Sequence, residues 1–247
     1  MKAAPQAQQL LLDLQAIDTS TAQIRHRRQT LPEIAELQQK QAVRARLGEE
    51  VVAVKTRLSD LDSAQAKVEA DLVPVRERLA RNRQRVDAGA ISDPKALQAM
   101  LGEIEHLDGR IDELEYQQLE LMEEIDGVQR ELDEASARKI DVENEMRTLI
   151  ASRDEKFAVL DAELAQKRQQ REATASQVPA DLLALYEKIG ERVGGAGAAL
   201  LRQGRCGGCQ LQVTSVYLEE IRNAAPDEVL RCEECQRILV RTDESGL

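Results

Sequence analysis

Apolar residues recur at alternating spacings of four and three from the start of the chain. Leu10, Leu14, Ile17, Ile24 and Leu31 mark the stripe, with Thr21 and Arg28 at the intervening seam positions. That is the seam of a coiled-coil helix starting near Pro5 or Gln6. Ile34 and Leu37 then fall early, and Thr30-Leu31-Pro32-Glu33 sits at the slip. Thr30 and Glu33 have capping-box spacing and Pro32 removes a backbone donor, which predicts a kink or short break. From Arg44 the stripe resumes through Leu47, Val51, Leu58, Leu72, Leu79 and Val86, with polar Gln65 and Asn82 in the seam. Pro74 lies within it; an interior proline costs about 3 kcal/mol, so a bend is expected there.

Asp87 to Pro94 reads as a turn, with Gly89 free to take a positive φ. Asp93 can cap the next helix, with Pro94 at its first position. The second helix keeps its stripe from Met100 through Ile111, Leu121, Leu132 and Val142 and runs to about Thr174, with Gln118 and Lys139 as polar seam residues. Polar seam residues of this kind set register. At 1.5 Å per residue, roughly 80 residues make a rod on the order of 120 Å. If the chain folds back near residue 90, position i faces roughly residue 180 − i, and the N-terminus returns to the end of the second helix.

After a linker at Gln177 to Ala180, Asp181 to Ile189 reads as a short amphipathic helix ended by Gly194, Gly195 and Gly197. Strands are expected at Ala198 to Arg202, around Leu211 and Val213, at Val229 and Leu230, and at Ile238 to Val240. Ser215 to Arg222 reads as a helical turn. The fold class is therefore mainly α: a long antiparallel coiled-coil helical hairpin over residues 1–176, then a short helix and a small four-cysteine zinc ribbon over 177–247.

All four cysteines lie in that last segment, as Cys206-Gly-Gly-Cys209 and Cys232-Glu-Glu-Cys235. Two CxxC pairs at this separation are the spacing of a C4 zinc ribbon, each pair supplying two thiolates of a tetrahedron. Four thiolates close the coordination sphere, so the expected cofactor is one structural Zn2+ and not a catalytic one. A thiol-redox reading needs a thioredoxin-like βαβ context, which the pattern lacks. A ribbon this short has too little core of its own, so metal binding is expected to supply much of its folding energy.

Composition removes several classes. Aromatics are 2% and Trp is absent, which suits a narrow aliphatic seam more than a large globular core. No stretch is long and apolar enough to span a membrane, and the first residues have no signal-peptide pattern. A cytoplasmic protein is expected, where paired CxxC motifs favour metal over disulfide. The net charge of −11 is uneven. Residues 1–86 carry 15 basic and 11 acidic groups, and residues 94–175 carry 11 and 21. Such halves suit packing side by side.

The arginines at 76, 78, 81, 83 and 85 are expected to pair with acids across the hairpin, near Glu103, Glu105, Asp108, Asp112 and Glu113. Arg25-His26-Arg27-Arg28 is a smaller basic patch without an obvious match. Residues 200–247 hold six Arg against eight acids, with Tyr217 their only ring. Nucleic-acid surfaces use excess positive charge and stacking rings. Arg202, Arg205, Arg237 and Arg241 are the candidates for such contacts. His26 and His106 lie within helices, away from the cysteines, and no Ser/His/Asp set or phosphate loop is present.

The chain resembles a bacterial family in which a coiled-coil hairpin precedes a C4-type zinc ribbon. The resemblance is carried by the hairpin return Ser92 to Gln98, by Glu103 to Glu105, Leu114-Glu115 and Leu183 to Ile189, by Gly204 to Cys209, and by Cys232 to Val240. One departure is Gln236, where such knuckles often carry Gly; a positive φ there costs Gln about 1–2 kcal/mol. The family is described as predicted nucleic-acid-binding. The resemblance implies binding without catalysis: some members look like adaptors or chaperones for an alternative sigma factor and for secretion or flagellar export components, with RNA bound in some cases. The expectation is a non-enzymatic adaptor or chaperone-like protein for protein partners. RNA or DNA binding is the alternative, and monomer and homodimer both satisfy the seam.

Overall fold

A computed structural model describes residues 1–247. The elements are helices α1 (Pro5–Gln29), α2 (Pro32–Asp87), α3 (Pro94–Ala175), α4 (Ala180–Val193) and α5 (Ser215–Asn223), with strands β1 (Ala198–Arg202), β2 (Arg205–Cys206), β3 (Leu230–Arg231) and β4 (Ile238–Val240). A 3-10 turn at Asp243–Ser245 follows β4. Packing groups Met1–Ala35 with Ile150–Leu247, and Glu36–Leu149 forms the second unit.

The break between α1 and α2 falls at the slip in the stripe. The capping box does not form. Thr30 is the C-terminal cap of α1, and both its hydroxyl (2.8 Å) and its N–H (3.0 Å) donate to the His26 carbonyl. The hydroxyl is thus turned toward the helix it ends, away from the one that follows. Glu33 instead turns inward and is 6% exposed. Its Oε1 accepts from Lys156 and from Ser152 (3.1 Å), and the Lys156 ammonium holds its carboxyl below the usual range.

Within Glu36–Leu149, α2 and α3 bury the predicted stripe against each other. Leu72, Leu79, Leu107, Ile111 and Leu114 make one cluster; Val51, Leu132 and Ala135 make another. Helix α2 continues through Pro74. Ion pairs flank the seam, including Arg44–Glu143 (2.8 Å), Glu50–Arg138 (2.6 Å), Arg76–Glu115 (2.6 Å) and Arg83–Asp108 (2.7 Å). Arg78 meets Glu103, so three of the five clustered arginines pair across the hairpin as expected, whereas Arg81 pairs with Glu77 on its own helix and Arg85 has no ion pair. Exposed pairs contribute about 0.2–1 kcal/mol each, so they select register more than they stabilise.

The register differs from the expected one. A fold near residue 90 would put Arg57 opposite roughly residue 123, and it pairs with Glu131. The turn is the cause. Ala88–Asp93 continue past α2 before α3 begins, and Pro94–Ala96, Gln98 and Ala99 are exposed. The turn chemistry itself is as read: Gly89 has φ +63°, and the Asp93 carboxylate accepts from the N–H groups of Lys95 (3.3 Å) and Ala96 (3.1 Å).

In the other unit the sheet runs β2-β1-β4-β3, with β1 parallel to β4 and the outer pairs antiparallel. The expected strand around Leu211 and Val213 reduces to a single bridge between Arg205 and Gln212. Successive side chains of β1 and β4 point to opposite faces. Ala198, Ile238 and Val240 enter a core with Ala7, Leu11 and Leu14 of α1 and Leu182, Tyr186 and Ile189 of α4. Ala199, Leu201 and Leu239 enter a second core with Cys206, Ile221, Leu230 and Cys232. The β1–β4 sheet is therefore a wall between a helical core and a metal-side core. Gly197 permits the closure, because a Cβ there would lie 1.9 Å from the Tyr186 carbonyl oxygen.

The first residues belong to this unit. Ala3 N–H donates to the Asp227 carbonyl (2.7 Å), Val229 N–H to that of Met1 (3.1 Å), and buried Gln8 donates to the Ala3 carbonyl (2.9 Å). Tyr186 O–H donates to Asp18 (2.7 Å), which also accepts from Arg171 (2.8 Å), tying α4, α1 and α3 together.

Candidate metal centre

Two similar knuckles carry the cysteines. The first hangs on the β1–β2 hairpin, whose turn residues Gln203 and Gly204 have φ of 45° and 70°. Both central residues at positive φ make the tight turn that matches strand twist. Cys206 ends β2, and its carbonyl accepts from Gln210 N–H (2.8 Å). The second lies between β3 and β4, where the Cys232 carbonyl accepts from Gln236 N–H (3.0 Å). Gln210 and Gln236 share φ +61°. The positive φ expected at Gln236 is thus present in both knuckles. At Gln236 the side chain also donates to the Glu233 carbonyl (3.1 Å).

The four Sγ atoms lie within 4.8 Å of one another. Cys206–Cys235 and Cys209–Cys232 are 3.7 and 3.8 Å apart, so each close contact joins one knuckle to the other. Zinc–thiolate bonds of about 2.3 Å in a tetrahedron require an edge of about 3.8 Å. The donor set therefore fits one structural Zn2+, held by Cys206, Cys209, Cys232 and Cys235. When bound, the metal draws off the thiol protons and cross-links the knuckles.

The surroundings treat the thiols differently. Burial pushes Cys206 up to about 12 and raises Cys232. Burial also works against the Cys235 thiolate, but the backbone N–H and guanidinium of Arg237 outweigh it and bring that thiol down to about 7. Arg237 also donates to the Ala196 carbonyl (3.0 Å), so it braces the second knuckle. Thr214 caps α5 and donates to Glu233 (3.1 Å), and Tyr217 O–H donates to the Arg231 carbonyl (2.8 Å).

Each of the four arginines singled out for nucleic acid has a local partner. Arg202 pairs with Glu244 (3.1 Å) and Arg205 donates to Gln212 (3.1 Å), both at the exposed end of the first hairpin. Arg237 belongs to the second knuckle. Arg241 closes the end of α5, donating to the carbonyls of Ile221 (3.2 Å), Ala224 (2.9 Å) and Ala225 (2.5 Å). Arg27 and Arg28 pair with Glu163 and Asp161, and the Arg28 guanidinium lies 4.1 Å from the centre of the Phe157 ring. Sequence reasoning did not assign Arg237 a supporting role; its place two residues after Cys235 was the available signal. It did not assign the Asp18–Arg171–Tyr186 network at all, since its members are far apart in the chain.

Residues 14–194 match the CT398-like coiled coil hairpin domain and residues 205–239 the C4-type zinc ribbon domain. An uncharacterized protein of Mycobacterium tuberculosis is 32% identical over 98% of both chains. A solved Mycobacterium smegmatis structure is 34% identical and superposes with a TM-score of 0.88, covering 98% of this chain and all of that one. CT398 from Chlamydia trachomatis shares the fold at 18% identity and a TM-score of 0.72, with 96% and 98% of the two chains covered. A hairpin seam, a closed four-cysteine cluster and these matches together place the chain in the CT398-like coiled-coil hairpin family, with a C4-type zinc ribbon at its C-terminal end.

Proposed function

We propose that this chain is a non-enzymatic adaptor that binds protein partners through its hairpin and its zinc ribbon. The observation that carries the reading is the closed donor set. Four thiolates leave no coordination position for water or substrate, so the metal's role is to shape a surface. The hairpin supports the same reading. Tyr116, Leu119 and Met122 are 63%, 60% and 48% exposed on α3, at spacings that put them on one flank. Exposed apolar groups gathered on one face are the usual mark of a protein contact. No helix is long and apolar enough to cross a membrane, and the four cysteines are unpaired by disulfide, which suits a reducing cytoplasm. The partners proposed are components of transcription or secretion machinery, the class implied by family resemblance.

Affinity capture with the wild type, with Cys232→Ser/Cys235→Ser and with Leu119→Glu tests this, read for both protein and RNA. The adaptor reading expects a stoichiometric protein partner lost with one or both variants. Recovery of RNA alone, released by moderate salt and by Arg202→Ala, favours the nucleic-acid alternative instead.

A further inference from the structure

One side of the unit formed by Met1–Ala35 and Ile150–Leu247 carries an open cleft of about 950 Å³. Its walls are α1, the last turns of α3, the glycine-rich loop after α4 and the first knuckle. The charge in it is one-sided. Asp18 is its only carboxylate, and Asp18 is already committed to Arg171 and Tyr186. Arg168 has a partner in Glu172. Arg25 and Lys167 have no ion-pair partner, and Arg237 reaches the cleft from the opposite wall. The Arg237 guanidinium is bound to the Ala196 carbonyl, which leaves Arg25 and Lys167 as the cations of the cleft without a partner. Arg25 is also the one arginine of its basic patch that the hairpin does not pair.

The remaining lining says what kind of anion fits. No aromatic ring borders the cleft, so a nucleobase would lack the ring platform that single-strand binding sites use. Ala22, Ala165, Gly195 and Gly208 keep the walls low, so a main chain can lie close to them. We propose that this cleft holds an extended acidic peptide segment of a protein partner, its carboxylates meeting Arg25 and Lys167. The inference rests on the adaptor reading and names the chemistry of one of its contacts.

The test uses the full-length, zinc-loaded chain and a fluorescent peptide of eight glutamates, with binding read by anisotropy at physiological ionic strength. Binding is expected, and Arg25→Ala/Lys167→Ala should weaken it about tenfold, the loss of two charge pairs. Arg130→Ala removes one exposed, unpaired arginine elsewhere on α3 and should change it less than about twofold. Absence of wild-type binding, or equal weakening by Arg130→Ala, overturns the proposal. So does a uridine octanucleotide that binds more tightly with the same dependence on Arg25 and Lys167, since that assigns the cleft to RNA. If the ribbon variants lose a protein partner that the cleft variant retains, this inference fails while the adaptor reading stands.

Discussion

Tyr186 shows how much one side chain can organise. It is 1% exposed, yet its hydroxyl must be satisfied, and Asp18 of α1 does so. Burial and the Asp18 carboxylate both raise the phenol above its ordinary range. The folded state therefore favours the neutral phenol. Its contribution is full below the unfolded value of about 10 and is lost as pH climbs above it. Tyr186→Phe should cost about 1.5–3 kcal/mol at neutral pH, typical of a hydrogen bond to a charged group, and the gap to wild type in urea denaturation should narrow above pH about 10. A gap that is flat across that range contradicts the assignment. The knuckle glutamines give a second residue-scale outcome. Gln210 and Gln236 hold φ +61°, but only Gln236 recovers a side-chain hydrogen bond. Gln210→Gly should stabilise the zinc-loaded chain by about 1 kcal/mol and Gln236→Gly by less, measured by thermal unfolding. The sequence showed the departure from Gly at Gln236. It did not show that Gln210 stands in the same conformation, because the equivalence of the knuckles is a matter of backbone geometry.

At the scale of elements, the stripe was the most legible signal. A period fixed by helix geometry marks the seam and the slip at Leu31, and the Asp-Pro pair marks the cap at Asp93, both without reference to the rest of the fold. Register was less legible, because it depends on how far the turn carries the chain before pairing begins, and Arg57 meets Glu131 as a result. The strand around Leu211 and Val213 is cut short by its neighbours: Leu211 and Val213 still bond to Cys206 and Gly204 across β2, but the knuckle turn closed by Gln210 on Cys206 precedes them and α5 begins at Ser215, so only one bridge fits between. Pro74 offers an element-scale test. It is exposed and interior to α2, so replacing it removes no core contact and restores a backbone donor. Pro74→Ala should stabilise by about 1–3 kcal/mol and raise the melting temperature. A lower melting temperature would mean that the chain needs the proline's local geometry.

At the scale of the molecule, the ribbon proves to be less self-contained than its cysteines suggest. One face of its sheet closes over the metal-side core and the other over α1 and α4, with Met1 and Ala3 hydrogen-bonded to the segment before β3. No local pattern announces that partnership, since alanines and leucines of α1 read simply as seam. Metal removal should therefore be a local event. Chelation should abolish the knuckles and α5 but lower the helical signal at 222 nm by less than about a tenth, because the helical core needs no metal. Collapse of that signal would show that the metal holds the entire fold. The donor set is the claim on which the reading of function turns, and X-ray absorption at the zinc edge tests it most directly. One zinc per chain with four sulfur neighbours at about 2.3 Å and no oxygen or nitrogen scatterer is the expected result. An oxygen in the first coordination sphere, or fewer than four sulfurs, would open the site to chemistry and contradict the account.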